Sequence, residues 1–365
     1  MEKDFEVLVI GAGVVGLSIA YELSKKYLVG LIEKNKKYGL ETSSRNSEVI
    51  HSGIHYPTGS LKAKLCVQGN ELLYEFLKEN NILHKKTGKL TVAVEQKEVE
   101  EIERLYKQGI ENGVPDIKII EKNEIKKLAS KIEGICALYT GSTGILNVHY
   151  LMDCLYEKFI NNGGIAGLDE KVINIEKKNG LYLIETEKDK YYSEVVINSA
   201  GLYAEEISNK LGFKYDIYWA KGDYFTISKK VDIPLLIYPV PMKEGLGIHL
   251  TPRFDGFLRA GPDIEYVQKV YPPYHNQKEN SIFKVDEKKK EFFYKQIRKF
   301  LPNIEIEDLI PESYGIRPKL QKKEESFKDF VIKEEISGFI NLIGIDSPGL
   351  TCCLSIAKYV KNLIS

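Results

Sequence analysis

Gly11-Ala12-Gly13-Val14-Val15-Gly16 sets three glycines at the G-x-G-x-x-G spacing. That spacing can hold a pyrophosphate. The first glycine permits a tight turn, the second lets a phosphate reach the backbone, and the third lets a helix pack on a strand. The N–H groups and positive dipole end of the following helix complete such an anion site. Glu33 falls close to the roughly 20-residue offset at which an acid accepts hydrogen bonds from an adenosine ribose. A second small-residue turn, Ser199-Ala200-Gly201, also lets backbone approach a dinucleotide, although a plain glycine turn is the other reading there.

Such a turn works only between a strand and a helix, and the flanking residues supply both. Residues 5–10 (F-E-V-L-V-I) read as a buried parallel strand, 14 to about 25 as an apolar helix, and 28–32 as a second strand ending on Glu33. Residues 192–198 repeat the buried-strand pattern, with a helix over 202–211. The chain closes with a strand over 339–345, a turn at Asp346-Ser347-Pro348-Gly349 and a helix over 350–363. That last helix would aim its N-terminus at whatever the first turn holds.

Between these pieces the pattern changes. Ser60 caps an amphipathic helix, and a helix over 150–161 and a hairpin over 170–185 stand nearer the dinucleotide pieces. Strands over 85–94, 218–227, 245–251 and 256–261, with helices over 95–112 and 121–128, interrupt the parallel topology. We read this block as an inserted domain. Residues 262–280 lack periodicity and read as a long loop, with a lid as one role. In the helix over 287–301, Lys288, Lys289, Lys290, Lys295, Arg298 and Lys299 border Phe292, Phe293, Ile297 and Phe300. A solvated face with a buried aromatic stripe is the favoured reading, and a face pressed on an anionic membrane is the alternative.

A length of 365 residues suits two domains sharing a ligand, and 43% apolar residues is ordinary for a soluble protein. Lys+Arg 52 against Asp+Glu 52 points to no nucleic-acid partner. The uncharged run over 7–21 is shorter than a membrane span, and the leader has no signal-peptide pattern. The expected location is therefore cytoplasmic, with peripheral contact at the inner membrane face as the membrane variant. Cys66, Cys136, Cys154, Cys352 and Cys353 have no ligand spacing, so no metal site is expected.

Ser44-Arg45-Asn46-Ser47-Glu48-Val49-Ile50-His51-Ser52-Gly53-Ile54-His55-Tyr56, followed by Gly59-Ser60-Leu61-Lys62-Ala63-Lys64-Leu65-Cys66, carries a specific resemblance. So does Gly247-Ile248-His249-Leu250-Thr251. The chain resembles the D-amino-acid-oxidase-like FAD oxidoreductases over nearly its whole length, and within them the L-2-hydroxyglutarate dehydrogenases/oxidases and related glycerol-3-phosphate dehydrogenases. Two segments depart from the hydroxyglutarate pattern. His55-Tyr56 stands where two aromatics are usual, and Gly315-Ile316-Arg317-Pro318 is nearer the glycerophosphate form.

The resemblance implies an α/β fold with an α+β second domain. The first would be a Rossmann-like FAD-binding domain of glutathione-reductase type, over 1–84, 146–212 and 310–365. An antiparallel-sheet substrate domain would be inserted over 85–145 and 213–309. It implies that Gly11, Gly13, Gly16 and Glu33 hold the adenosine half of FAD, and that Ser44, Arg45, Asn46 and Ser47 lie by the pyrophosphate and flavin. Val172 and Gly201 would flank the adenosine, while Gly344, Ser347, Gly349, Leu350 and Thr351 would line the isoalloxazine.

The implied reaction is oxidation of a secondary alcohol beside an anionic group, which needs a hydride acceptor, a base and a fixed cation. His51 is the preferred base, with His249 orienting the substrate and Arg317 clamping the anion. Tyr56, His55 and Lys221 are further substrate contacts; His84, His149 and His275 carry no signal. The expected substrate is L-2-hydroxyglutarate, with sn-glycerol 3-phosphate as the alternative and an amine or amino acid as a more distant one. FAD is expected to be noncovalent, with His51 the residue a covalent link would use. A single dinucleotide turn leaves no separate NAD(P)H site, so electrons would pass to a quinone, a partner protein or O₂.

Overall fold

The computed structural model describes residues 2–241, 247–270 and 281–364. The expected strand start at 245 and the part of the 262–280 loop that holds His275 lie outside them. The first strand, Phe5–Ile10, is apolar on both faces because both are covered. Val7 and Val9 pack into a cluster with the helices, and Leu8 and Ile10 into a second cluster on the other side. Such two-sided burial belongs to parallel sheets.

An eight-stranded sheet forms around this strand. Its parallel centre runs in the order Ile165–Leu168, Val29–Glu33, Phe5–Ile10, Lys190–Asn198, Phe339–Ile343. The hairpin Val172–Lys178/Leu181–Thr186 joins Lys190–Asn198 antiparallel, and Val331–Ile336 joins Phe339–Ile343. Four helices cover one face: Val14–Ser24, Leu61–Glu79, Val148–Asn161 and Gly349–Leu363. Ser60 caps the second as expected, its side chain accepting from the Ala63 N–H, and Asn147 caps the third by accepting from Tyr150.

The other large sheet has nine strands. Its order is Glu265–Val267, Tyr218–Ile227, Leu258–Ala260, Leu250–Pro252, Leu236–Pro239, Lys89–Ala93, Cys136–Thr140, Ile117–Glu121, with Leu309–Lys319 on the free edge of Tyr218–Ile227. The expected antiparallel sheet is in fact mixed, because Leu236–Pro239 runs parallel to Lys89–Ala93. Leu309–Lys319 also stays with this sheet, pairing along the whole of Tyr218–Ile227, so the chain returns to the first sheet only after Lys319 rather than at 310.

In the helical segment that begins at Lys290–Ile297, Phe293, Ile297 and Phe300 are buried, and Phe292 is 45% exposed. Lys289 is engaged by Asp223, Asp263 and Glu265. Among the described residues no helix is long and apolar enough to cross a membrane, and no cluster of side chains could hold a metal.

Candidate active site

The two sheets enclose one cavity of about 1410 Å³. This exceeds the roughly 300–1,000 Å³ of ordinary small-ligand sites and leaves room for a dinucleotide beside a small substrate. At one end lies the glycine turn. Gly11 has φ +99°, and a Cβ there would meet the Ser199 carbonyl oxygen at 2.7 Å. A Cβ at Gly16 would meet the Gly11 carbonyl oxygen at 1.9 Å, so helix and strand touch through that hydrogen.

Beside this turn the Val14 N–H donates to Ser43 Oγ at 2.9 Å. Glu33 is buried on the cavity wall. Its Oε2 accepts the Ala12 N–H (2.9 Å), and its Oε1 accepts the Asn35 backbone N–H and side-chain amide (2.9 and 2.8 Å). Burial pushes its pKa above the ordinary carboxylate value against the pull of these donors.

Most residues singled out from the sequence reach the same wall. Gly11, Gly13, Glu33, Arg45, Asn46, Ser47, Val172, Gly201, Ser347, Gly349 and Leu350 line it, as do His51, His55, Tyr56, His249 and Arg317. Five do not. Gly16 serves the helix packing just described, and Ser44 turns its hydroxyl to the Glu41 carbonyl at 3.1 Å. Gly344, at φ +70°, passes against Leu320. Thr351 is buried and accepts the His51 N–H at 2.9 Å, so it fixes the backbone of His51. Lys221 is the clear correction. It is 3% exposed and paired with Asp223 at 3.0 Å inside the second sheet, because alternation in Tyr218–Ile227 turns its side chain away from the cavity.

At the opposite end are the histidines. His51 Nε2 lies 3.2 Å from Ser347 Oγ, which in turn lies 3.5 Å from the Tyr56 hydroxyl. His249 Nδ1 lies 3.2 Å from the Gly247 carbonyl oxygen, and its ring stacks on Tyr238 at 3.9 Å and 16°. A ring nitrogen facing a carbonyl carries the proton, so His249 Nε2 holds the lone pair. That Nε2 is buried with no protein partner.

Burial lowers the pKa of both imidazoles to about 3, helped by Lys89 for each, by His249 at His51, and by Arg317 at His249. Both are therefore neutral at pH 7. Arg317 donates through Nη2 to the Asp263 carbonyl oxygen at 2.8 Å, which fixes the guanidinium on the wall.

Three further features were not anticipated. Lys89 is buried next to His55, with Nζ 3.2 Å from His55 Nε2. Asp346 is buried between Lys62 (2.7 Å) and Lys319 (3.1 Å); burial pushes its carboxyl up, but the two ammonium groups pull it below the ordinary value. Tyr224 is buried on the wall, and burial raises its hydroxyl against Arg317 and Arg259. The sequence offered one signal for the first: a lysine at the head of a strand with no other charged residue, Lys89–Ala93.

The donor set fits a dinucleotide bearing a redox ring. Glycine backbone and Ser43 stand at the pyrophosphate position, an acid at the ribose position, and the N-terminus of Gly349–Leu363 opens onto the cavity. Comparisons with known proteins agree. Residues 6–363 match the sequence profile of the family described as FAD dependent oxidoreductase. The chain is 36% identical over 402 residues to the mitochondrial L-2-hydroxyglutarate dehydrogenase of Arabidopsis thaliana, covering 98% of this chain and 83% of the plant protein. It is 35% identical over 371 residues to the glycerol 3-phosphate dehydrogenase of Caloramator mitchellensis, covering 99% and 74%. Among solved structures, the dithionite-reduced L-alpha-glycerophosphate oxidase of Mycoplasma pneumoniae with FAD bound superposes with a TM-score of 0.88 at 26% identity, covering 100% of this chain and 95% of that one.

Proposed function

The chain belongs to the FAD dependent oxidoreductase family, and on that premise we propose that it oxidises L-2-hydroxyglutarate to 2-oxoglutarate. The observation that carries this reading is one wall bearing two neutral imidazoles and a fixed guanidinium. When bound, FAD supplies the acceptor for the hydride that leaves the alcohol carbon. The residues of this chain do the rest. Arg317 keeps one N–H on Asp263 and offers the remainder of its fork to the substrate's 1-carboxylate. That bond sets the alcohol in place.

His249 takes the hydroxyl proton on Nε2, since Nδ1 is committed to Gly247. This exchanges the roles expected from the sequence. His51, held by Thr351 and Ser347, orients the alcohol instead. The low pKa of His249 makes it a weak base in the empty site, and an anionic substrate offsets this by favouring the imidazolium. We take FAD to be noncovalent and released by acid precipitation, the reaction to be cytoplasmic, and the final acceptor to be a quinone, a partner protein or O₂.

A second reading, oxidation of sn-glycerol 3-phosphate, is favoured by Arg317-Pro318 on the wall and by the likeness to the glycerophosphate oxidase. Anaerobic bleaching of the flavin band near ~450 nm separates the two. L-2-hydroxyglutarate should bleach it. Bleaching by glycerol 3-phosphate alone would transfer the assignment, and bleaching by neither would end both.

A further inference from the structure

Among the described residues three lysines are buried to a similar degree. Lys62 has Asp346 at 2.7 Å and Lys221 has Asp223 at 3.0 Å. Lys89, 1% exposed, has no carboxylate within ion-pair distance among the described residues. Its Nζ meets His55 Nε2 at 3.2 Å and lies 4.8 Å from the centre of the Tyr238 ring. A buried ammonium facing a neutral imidazole and an aromatic ring, with no carboxylate beside it, is an uncompensated charge, and such groups are costly unless an anion arrives.

The neighbours of Lys89 are also short of acceptors. If Nζ donates to His55 Nε2, the ring proton of His55 sits on Nδ1, which is buried without a partner. The Tyr238 hydroxyl is likewise buried and unpaired. His55 and Tyr238 both line the cavity, and Lys89, which is not part of its lining, contacts both of them. The His55 Nδ1 proton and the Tyr238 hydroxyl are left without an acceptor, and the Lys89 charge without an anion.

We propose that His55, Tyr238 and Lys89 form a second anion subsite, separate from Arg317, that receives the distal carboxylate of a dicarboxylic 2-hydroxy acid. The proposal rests on the hydroxy-acid reading above and sharpens it. A dicarboxylate needs two cationic points, whereas a phosphate monoester carries its charge at one end. His249 is opposed by both Lys89 and Arg317, so the reacting end lies within electrostatic reach of both cations.

The charges around Lys89 also make the subsite sensitive to pH. The groups that act with it are His51, His55 and His249, the Cys66 thiol and the Tyr238 ring, with Arg104 acting on His55. None of them is a carboxylate. Burial therefore brings the amine down to about 7, and a bound carboxylate would draw a proton back onto it.

The test uses the FAD-loaded enzyme and two unreactive ligands, glutarate and pentanoate, which differ by the distal carboxylate. Binding is measured by calorimetry at pH 6 and pH 8 in buffers of different ionisation enthalpy. Glutarate should bind on the order of 10- to 100-fold tighter than pentanoate, with proton uptake at pH 8 and little at pH 6. Lys89→Met should erase both the preference and the uptake while leaving pentanoate binding unchanged. His55→Gln should weaken the preference.

Equal binding of the two ligands by the unmodified enzyme overturns the subsite, as does a preference that survives in Lys89→Met. Should that variant not fold, proton uptake by the unmodified enzyme decides alone. Reduction by L-2-hydroxyglutarate without any glutarate preference removes the subsite and spares the reaction. A preference without reduction removes the reaction and spares the subsite.

Discussion

Replacing His249 by Gln tests the chemistry most directly. The change keeps a polar side chain of similar reach beside Tyr238 but removes the basic Nε2. Loss of a positioned general base typically costs 10²–10⁴ in rate, about 2.7 to 5.4 kcal/mol of transition-state stabilisation. The pH dependence follows from the same geometry. Burial, then Lys89 and Arg317, lowers this imidazole from 6.5 to about 3 against the pull of the Gly247 carbonyl. That shift corresponds to roughly 5 kcal/mol against protonation. A base with a lowered pKa stays unprotonated as pH falls through 6.5, so kcat/KM should not fall as pH is lowered from 7 to about 5, and should fall only below that; a decline above pH 7 belongs to Lys89.

The assay is anaerobic stopped-flow reduction of the bound flavin by L-2-hydroxyglutarate, run in parallel on His249→Gln and His51→Gln. His249→Gln should lose at least 10²-fold in the reduction rate, and His51→Gln should lose less. If His249→Gln stays within tenfold of the unmodified rate while His51→Gln collapses, the assignment of the base is refuted in favour of His51. An acid limb centred near 6.5 would refute the burial argument for both.

Three further outcomes are expected. Gly16→Ala drives a methyl to 1.9 Å from the Gly11 carbonyl, an overpacking against backbone that should cost about 1–3 kcal/mol or more; its Tm and flavin content should fall together. Lys221→Met removes one of the two cations on Asp223, which retains Lys289, so stability should fall by about 1–3 kcal/mol, less than for a buried charge left with no partner, while the KM of the folded fraction is unmoved; a selective rise in KM would restore Lys221 as a substrate contact. Asp346 has a depressed carboxyl between Lys62 and Lys319, so its contribution to stability is present above about pH 4 and is lost as pH falls through its folded pKa. Asp346→Asn should be less stable at pH 7 and should show a shallower acid denaturation profile.

The dinucleotide half of the molecule was legible because its rules are local. Strand, glycine turn, helix and acid occupy a fixed short stretch, and Phe5–Ile10, Val14–Ser24 and Val29–Glu33 all fall within a residue or two of their expected positions. The second sheet was less legible. Leu309–Lys319 carries Pro311 and pairs across a bulge opposite Tyr224 and Phe225, so its alternation breaks where the register shifts. Leu236–Pro239 is a four-residue run among prolines and is too short for periodicity to reveal. Tyr238 lies on that strand and Lys89 on the parallel one beside it, so their meeting with His55 and His249 depends on a pairing that no spacing encodes. Lys221 was misplaced for a related reason. Only the position of Asp223 within the fold shows that its charge is already matched.

The contacts between the sheets also explain why one chain needs both of them to build a single site. Thr42 Oγ1 donates to the Ile316 carbonyl at 2.9 Å, and Arg259 Nη1 donates to the Asn46 carbonyl at 3.2 Å while its guanidinium pairs with Glu312 at 2.6 Å. Gly315 passes so close to the loop that a Cβ there would meet the Arg45 carbonyl oxygen at 2.0 Å. Glu48, next in the loop, sits at φ +58° and is held by the Val148 N–H on its Oε1 at 3.1 Å. The residues expected beside the pyrophosphate are therefore clamped by the strand that carries Arg317. A ligand that binds the ordered loop stabilises that strand by mass action, and disorder in the second sheet weakens the ligand by the same free energy. Cofactor affinity and substrate geometry are thus one linked property of this fold, set where Leu309–Lys319 crosses residues 42–48.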